Sequence, residues 1–194
     1  MRFAVVVLAL AVAVALPACS LRSETPLAAA ARHGDVAVLA SLLDHGGDPN
    51  ERSGMNGWTV LMHAVQTRQY ATARALLDAG ADPNLAGGES TALLLAAGQG
   101  DEEMVGLLLD AGADAQYQTA DGFNALAAAL LGSLAIDEPG ADGCRTETVR
   151  VLRERAPGLE LSSSFRGQFP AAYAQAAGCE EALRLAGATR AGGT

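Results

Sequence analysis

A nine-residue phrase recurs in this chain, and the recurrence limits what the chain can fold into. Leu42-Leu43-Asp44-His45-Gly46-Gly47-Asp48-Pro49-Asn50 returns as Leu76-Leu77-Asp78-Ala79-Gly80-Ala81-Asp82-Pro83-Asn84, and again as Leu108-Leu109-Asp110-Ala111-Gly112-Ala113-Asp114-Ala115-Gln116. The steps are 34 and 32 residues. Upstream segments keep the same register: Thr25-Pro26-Leu27, Thr59-Val60-Leu61, Thr91-Ala92-Leu93 and Asn124-Ala125-Leu126. A period of this length marks a solenoid, in which each unit is one supersecondary element that buries its apolar face only by stacking on its neighbours.

Each unit reads as a helix, a turn, a second helix and a loop. Thr25 caps the first helix through its hydroxyl, and Pro26 suits the first helical position, where no N–H is needed. The alanines from Ala28 to Ala31 allow close packing, and Gly34-Asp35 breaks the helix. Val38, Leu39, Leu42 and Leu43 then form an apolar stripe at helical spacing. Gly46 fits the left-handed position that ends a second helix. Asp-Pro-Asn and Asn56-Gly57 supply turns between units. Half of the residues are hydrophobic but only 4% are aromatic. Small and aliphatic side chains therefore build the interior, which favours closely packed helices.

The pattern resembles the ankyrin repeat, with its Thr-Pro-Leu start, its Gly turn, its Leu-rich second helix and its Gly-Ala-Asp-x-Asn ending. The resemblance is specific over residues 25–116 and continues more loosely to about 188. It implies an all-α solenoid of about five helix–turn–helix units with short hairpin loops, the last two units degenerate. Unit four starts at Asn124 and has its second helix near Thr146 to Arg155, with an insertion at Ala135 to Gly143 between. Unit five runs from Pro170 through Gly178 to a short helix carrying Leu183 and Leu185. Three departures stand out. Pro follows the Thr only in unit one. Ala28, Met62 and Leu94 stand where the family often places an inter-unit His, so cohesion is expected to rest on packing. Arg68 stands in place of the turn Gly of unit two.

Residues 1–24 carry a different message. Met1-Arg2 is followed by fourteen apolar residues, Phe3 to Leu16. That run is short of the roughly 20 residues needed to span a bilayer core and matches the apolar region of a signal peptide. Leu16-Pro17-Ala18-Cys19 resembles the lipobox of bacterial lipoproteins, which implies cleavage after residue 18 and acyl chains on Cys19. Cleavage at Ala13-Val14-Ala15 to a soluble product is the alternative. Residues 19–24 then form a short tether, residues 25–188 the repeat domain and residues 189–194 a disordered tail. Ser20, rather than Asp, after the cysteine points to the outer membrane, with the protein facing the periplasm. The five residues between Cys19 and Thr25 reach about 17 Å, so the solenoid should ride close to the bilayer.

Net charge is −9, which argues against nucleic acid, whose phosphates would repel such a surface. His33, His45 and His63 fall at different repeat positions, so no metal site and no cofactor are expected. Asp101-Glu102-Glu103 and Glu180-Glu181 lie in first turns of second helices, where carboxylates complement the helix dipole. No spacing suggests a nucleophile with its base, and the chain is read as a non-enzyme. Cys144 and Cys179 occupy the same register in adjacent units, as a pair in an oxidising compartment would. Stacked helices about 8–10 Å apart exceed the roughly 7 Å that a disulfide tolerates, unless the insertion lets Cys144 lean across.

By resemblance, partners should meet the loop tips and the exposed ends of the first helices. Those positions hold Arg32, His33, Met55, Asn56, Trp58, Gln66, Thr67, Gln99, Asp121 and Phe123. Trp58 and Phe123 share one register; each either anchors a partner or folds down over its hairpin to shield the core. The expected function is a monomeric, non-catalytic adaptor or scaffold in the cell envelope. Its partner would be a periplasmic or membrane-embedded protein. An immunity-type protein that blocks a toxic or lytic enzyme is the alternative.

Overall fold

The computed structural model describes residues 24–131, 145–161, 174 and 179–187. The expected signal peptide, Cys19, the insertion at 135–143, Cys144, the expected tail at 189–194 and most of the first half of unit five lie outside the described residues. Helices run in pairs: α1 (Pro26–His33) with α2 (Val36–Asp44), α3 (Val60–Gln66) with α4 (Tyr70–Asp78), α5 (Ala92–Gln99) with α6 (Glu102–Asp110), and α7 (Ala125–Leu131) with α8 (Thr146–Arg155). A short α9 (Glu180–Leu185) follows. Two two-residue strands, β1 (Arg52–Ser53) and β2 (Trp58–Thr59), pair antiparallel ahead of α3, with Arg52 opposite Thr59 and Ser53 opposite Trp58. Later hairpins reduce to single bridges, Gly87 to Ser90 and Gln118 to Asn124.

The repeated residues explain why each helix begins where it does. Thr25, Thr59 and Thr91 accept from the backbone N–H of Ala28, Met62 and Leu94 at 3.2, 3.2 and 3.3 Å. Asn124 does the same for Ala127 at 3.1 Å. Each such cap contributes about 1 kcal/mol. Asp35 and Asp101 cap α2 and α6, whereas Gln69 gives α4 no side-chain cap. Gly34 and Gly100 take left-handed backbone at the turn between helices. Arg68 adopts the same conformation at φ 56°, although a side chain there crowds the backbone.

First helices pack in sequence, α1 on α3, α3 on α5 and α5 on α7, and second helices form an outer layer. The core between the layers is aliphatic, with Leu39, Leu61, Leu76, Leu108, Leu126 and Leu152 fully buried. Val38 departs from the expected stripe, being 46% exposed. The residues in its register in the next two units, Thr72 and Met104, are buried. Nothing among the described residues precedes unit one to cover Val38.

Cohesion between units is not a matter of packing alone. Asn50 accepts from the backbone N–H of Asp82 at 2.8 Å and donates to the Gly80 carbonyl at 3.4 Å. Asn84 repeats this one unit on, accepting from Asp114 N–H at 2.6 Å and donating to Gly112 at 3.1 Å. The terminal Asn of units one and two thus clamps the second-helix end of the next unit, and supplies the polar link that the missing His does not.

Candidate partner-binding surface

The first hairpin is a stiff projection. The Arg52 guanidinium donates to the carbonyls of Gly57, at 3.2 Å, and Ala86, in the next hairpin. Gly87 lets the two hairpins meet: a Cβ there would lie 2.8 Å from Trp58 Cα and 2.9 Å from Met62 Sδ. At the tip, Met55 is 88% exposed and Asn56 is exposed. An apolar side chain so fully in water on a braced loop contributes nothing to the core.

The two aromatics sit differently. Trp58 is half-buried, packs against the core and tilts over the His63 ring, with centroids 5.8 Å apart. Phe123 is likewise half-buried against the core, and its backbone N–H donates to Thr119 Oγ1 at 3.1 Å. Both placements favour the shielding role over that of a free anchor. Asp121, on the same hairpin, is exposed. His63 Nε2 lies 3.0 Å from Ser53 Oγ. Burial lowers its pKa from the ordinary histidine value, and the contact with Ser53 and the charge of Glu24 oppose this.

The helix-end residues form a separate group. Arg32 and His33 are exposed, and Arg32 pairs with Glu24 at 2.6 Å. Thr67 Oγ1 donates to the Arg32 carbonyl at 2.9 Å, and Gln99 Nε2 to the Gln66 carbonyl at 3.3 Å. Thr67 and Gln99 therefore tie unit to unit, and only part of each side chain reaches solvent. First helices of seven or eight residues separate this group from the hairpin tips by about 11 Å. The ten residues thus make two edges of one face, not one patch.

Sequence reasoning missed the brace at Arg52 and a polar knot at the start of α6. There Asp101, 4% exposed, accepts from Met104 N–H at 3.0 Å and from the Tyr70 hydroxyl at 2.8 Å. Arg68 Nε stands 3.7 Å away, and its Nη2 donates to the Gln99 carbonyl at 3.0 Å. The Tyr70 pKa is raised to about 12, by burial first and then by Asp101. The carboxylate's repeated position announced the cap, but nothing in the sequence announced its partners in another unit. Among the described residues no group of three or more His, Cys, Asp or Glu could hold a metal ion. None of their helices is long and apolar enough to cross a membrane. Cys179 is 2% exposed and disulfide-bonded.

Paired helices, capping threonines and hairpin loops define a class of stacked-repeat protein that presents a binding face. Residues 6–87 match the family described as ankyrin repeats (3 copies), and residues 89–120 match the ankyrin repeat. The chain belongs to the ankyrin repeat family, whose repeats are protein–protein interaction modules.

Proposed function

We propose that this protein is a non-catalytic adaptor held in the cell envelope by acyl chains on Cys19, gripping a protein partner with its hairpin tips. The exposure of Met55 on a braced hairpin carries the reading. An apolar side chain in water at the end of a rigid loop gains its burial free energy only from a partner. Packing around Trp58 holds that loop in place beforehand, which cuts the entropy lost on binding.

The envelope location rests on the apolar run with its lipobox-like ending and on a buried, disulfide-bonded Cys179, which fits an oxidising compartment. Acyl burial contributes about 0.8 kcal/mol per methylene, and two or more chains suffice for a stable anchor. A soluble partner in the periplasm or a membrane protein beside the anchor would both be within reach. The charge of −9 favours a second use of the same face, the blocking of a basic enzyme.

Two measurements test this. Intact mass after labelling with a fatty-acid analogue should show processing to Cys19 with added acyl mass; an unmodified Cys19 overturns the anchor. Capture from membranes should be run side by side with the wild-type chain and Met55→Asp. A partner enriched by the first and lost by the second, at equal melting temperature, supports the hairpin reading. Equal enrichment by both overturns it.

A further inference from the structure

The outer layer is not uniform. α2 packs on α4 and α6 on α8, but α4 and α6 do not close on each other in the same way. Tyr70, at the start of α4, bridges to α6 through its bond to Asp101. Beside this bridge a cleft of about 390 Å³ opens, and its lining among the described residues comes from α4, α6 and α8. That volume is in the range of sites that hold a side chain or small ligand.

Gly106 lies on this cleft, in the interior of α6. In the repeat register it matches Ala40 and Arg74. A glycine inside a helix weakens it relative to alanine, and close packing is the usual reason to accept that cost. Among the described residues nothing presses closely on it: outside α6, the nearest atom to a Cβ built on Gly106 is Arg155 Nη2, at 3.9 Å, an ordinary van der Waals contact. Packing among the described residues does not demand a glycine, and its lack of a side chain leaves room on the cleft wall.

The walls combine two characters. Leu107 and Val151 are half-buried and give an aliphatic side. Glu102, Glu103 and Glu154 are exposed carboxylates on the rim. Arg155 is engaged by Asp110, and Arg74 is the other cation of the lining. Glu102 and Glu103 suit the start of α6 through its dipole. Glu154 does not share that explanation, because it stands in the last turn of α8, where a negative charge is unfavourable.

We propose that this cleft is a second docking site, on the outer helix layer, for a partner segment that inserts an arginine beside an aliphatic residue. The aliphatic part would lie on Leu107 and Val151 in the space left by Gly106, and the guanidinium would meet the rim carboxylates. The site is independent of the hairpin face and stands or falls separately.

The probe is the peptide acetyl-Leu-Arg-Ala-Leu-Arg-amide, titrated into the full chain and read by backbone amide NMR shifts. Its control is the same peptide with glutamate for arginine. Saturable shifts are expected at Gly106, Leu107 and Val151 for the basic peptide alone, weakening as salt is raised. Gly106→Gln fills the cleft and should weaken binding at least tenfold while its melting temperature stays at or above wild type, since α6 gains helix propensity. Glu154→Gln should weaken binding severalfold, which gives a second reading if Gly106→Gln folds poorly. Equal binding of the acidic peptide, unchanged affinity in both variants, or no saturable shift at those amides overturns the proposal.

Discussion

Arg68 shows how far one residue can depart from its repeat. Its backbone is left-handed, as at the glycines of the flanking units, and its side chain reaches Gln99 and Asp101 of the next unit. Strain and compensation are thus built into one position. They separate on mutation: Arg68→Gly and Arg68→Ala lose the same guanidinium, but only the first relieves the backbone. We expect Arg68→Gly to be more stable than Arg68→Ala by about 1 kcal/mol in urea unfolding. Equal stability would mean that the left-handed turn carries no penalty here. His63 carries a pH dependence of its own. Its folded pKa lies below the unfolded value of about 6.5, so the unfolded chain takes up the proton first as pH falls. The stability held above about pH 6.5 is therefore lost as pH falls towards the lowered folded pKa. His63→Gln should lose less stability than wild type between pH 7.5 and 5.5. Parallel losses would assign the acid sensitivity to other groups.

At the scale of elements, the helices follow from residues visible in the sequence. Thr25, Thr59 and Thr91 cap first helices because a hydroxyl at that position accepts an orphan N–H whatever surrounds it. Gly46, Gly80 and Gly112 end second helices because the left-handed position favours glycine. Such local chemistry is legible without a fold. The polar links between units were not, because Asn50 and Asn84 look like turn residues until the next unit stands beside them. The same limit applied to the candidate site. Met55 was legible as a loop-tip apolar residue, but the setting of Trp58 was not, because its backbone meets Gly87 of another hairpin, where a Cβ would lie 2.8 Å from Trp58 Cα. The clamp predicts an asymmetry between two residues in one register. Asn84→Ala removes two inter-unit hydrogen bonds and should cost about 1–2 kcal/mol. Gln116→Ala, at the matching position of unit three, should stay within about 0.5 kcal/mol. Similar losses for both would place the cohesion in packing after all.

For the whole molecule, a solenoid owes its stability to neighbour interfaces, so its ends need separate means of support. The α9 end is where Cys179 lies buried and disulfide-bonded. We propose Cys144, its counterpart one unit earlier, as the partner. Such a bond closes a loop of about 35 residues and would stabilise the chain by about 3–4 kcal/mol on the loop-entropy account. Reduction should then lower the melting temperature and free two thiols that are blocked in the oxidised, denatured chain. Finding both thiols already free without reductant would contradict the pairing. The described residues present a hairpin edge with an exposed methionine and an outer cleft with an acidic rim.

We propose above all that the hairpin tip meets a protein partner in the envelope. Site-specific photocrosslinking in cells tests it most directly, with the photoreactive amino acid placed at position 55 or, as a control, at exposed Ala40 on α2. A discrete adduct to one protein from position 55, absent from position 40, is the predicted result. No adduct from position 55, or the same adducts from both positions, would contradict it.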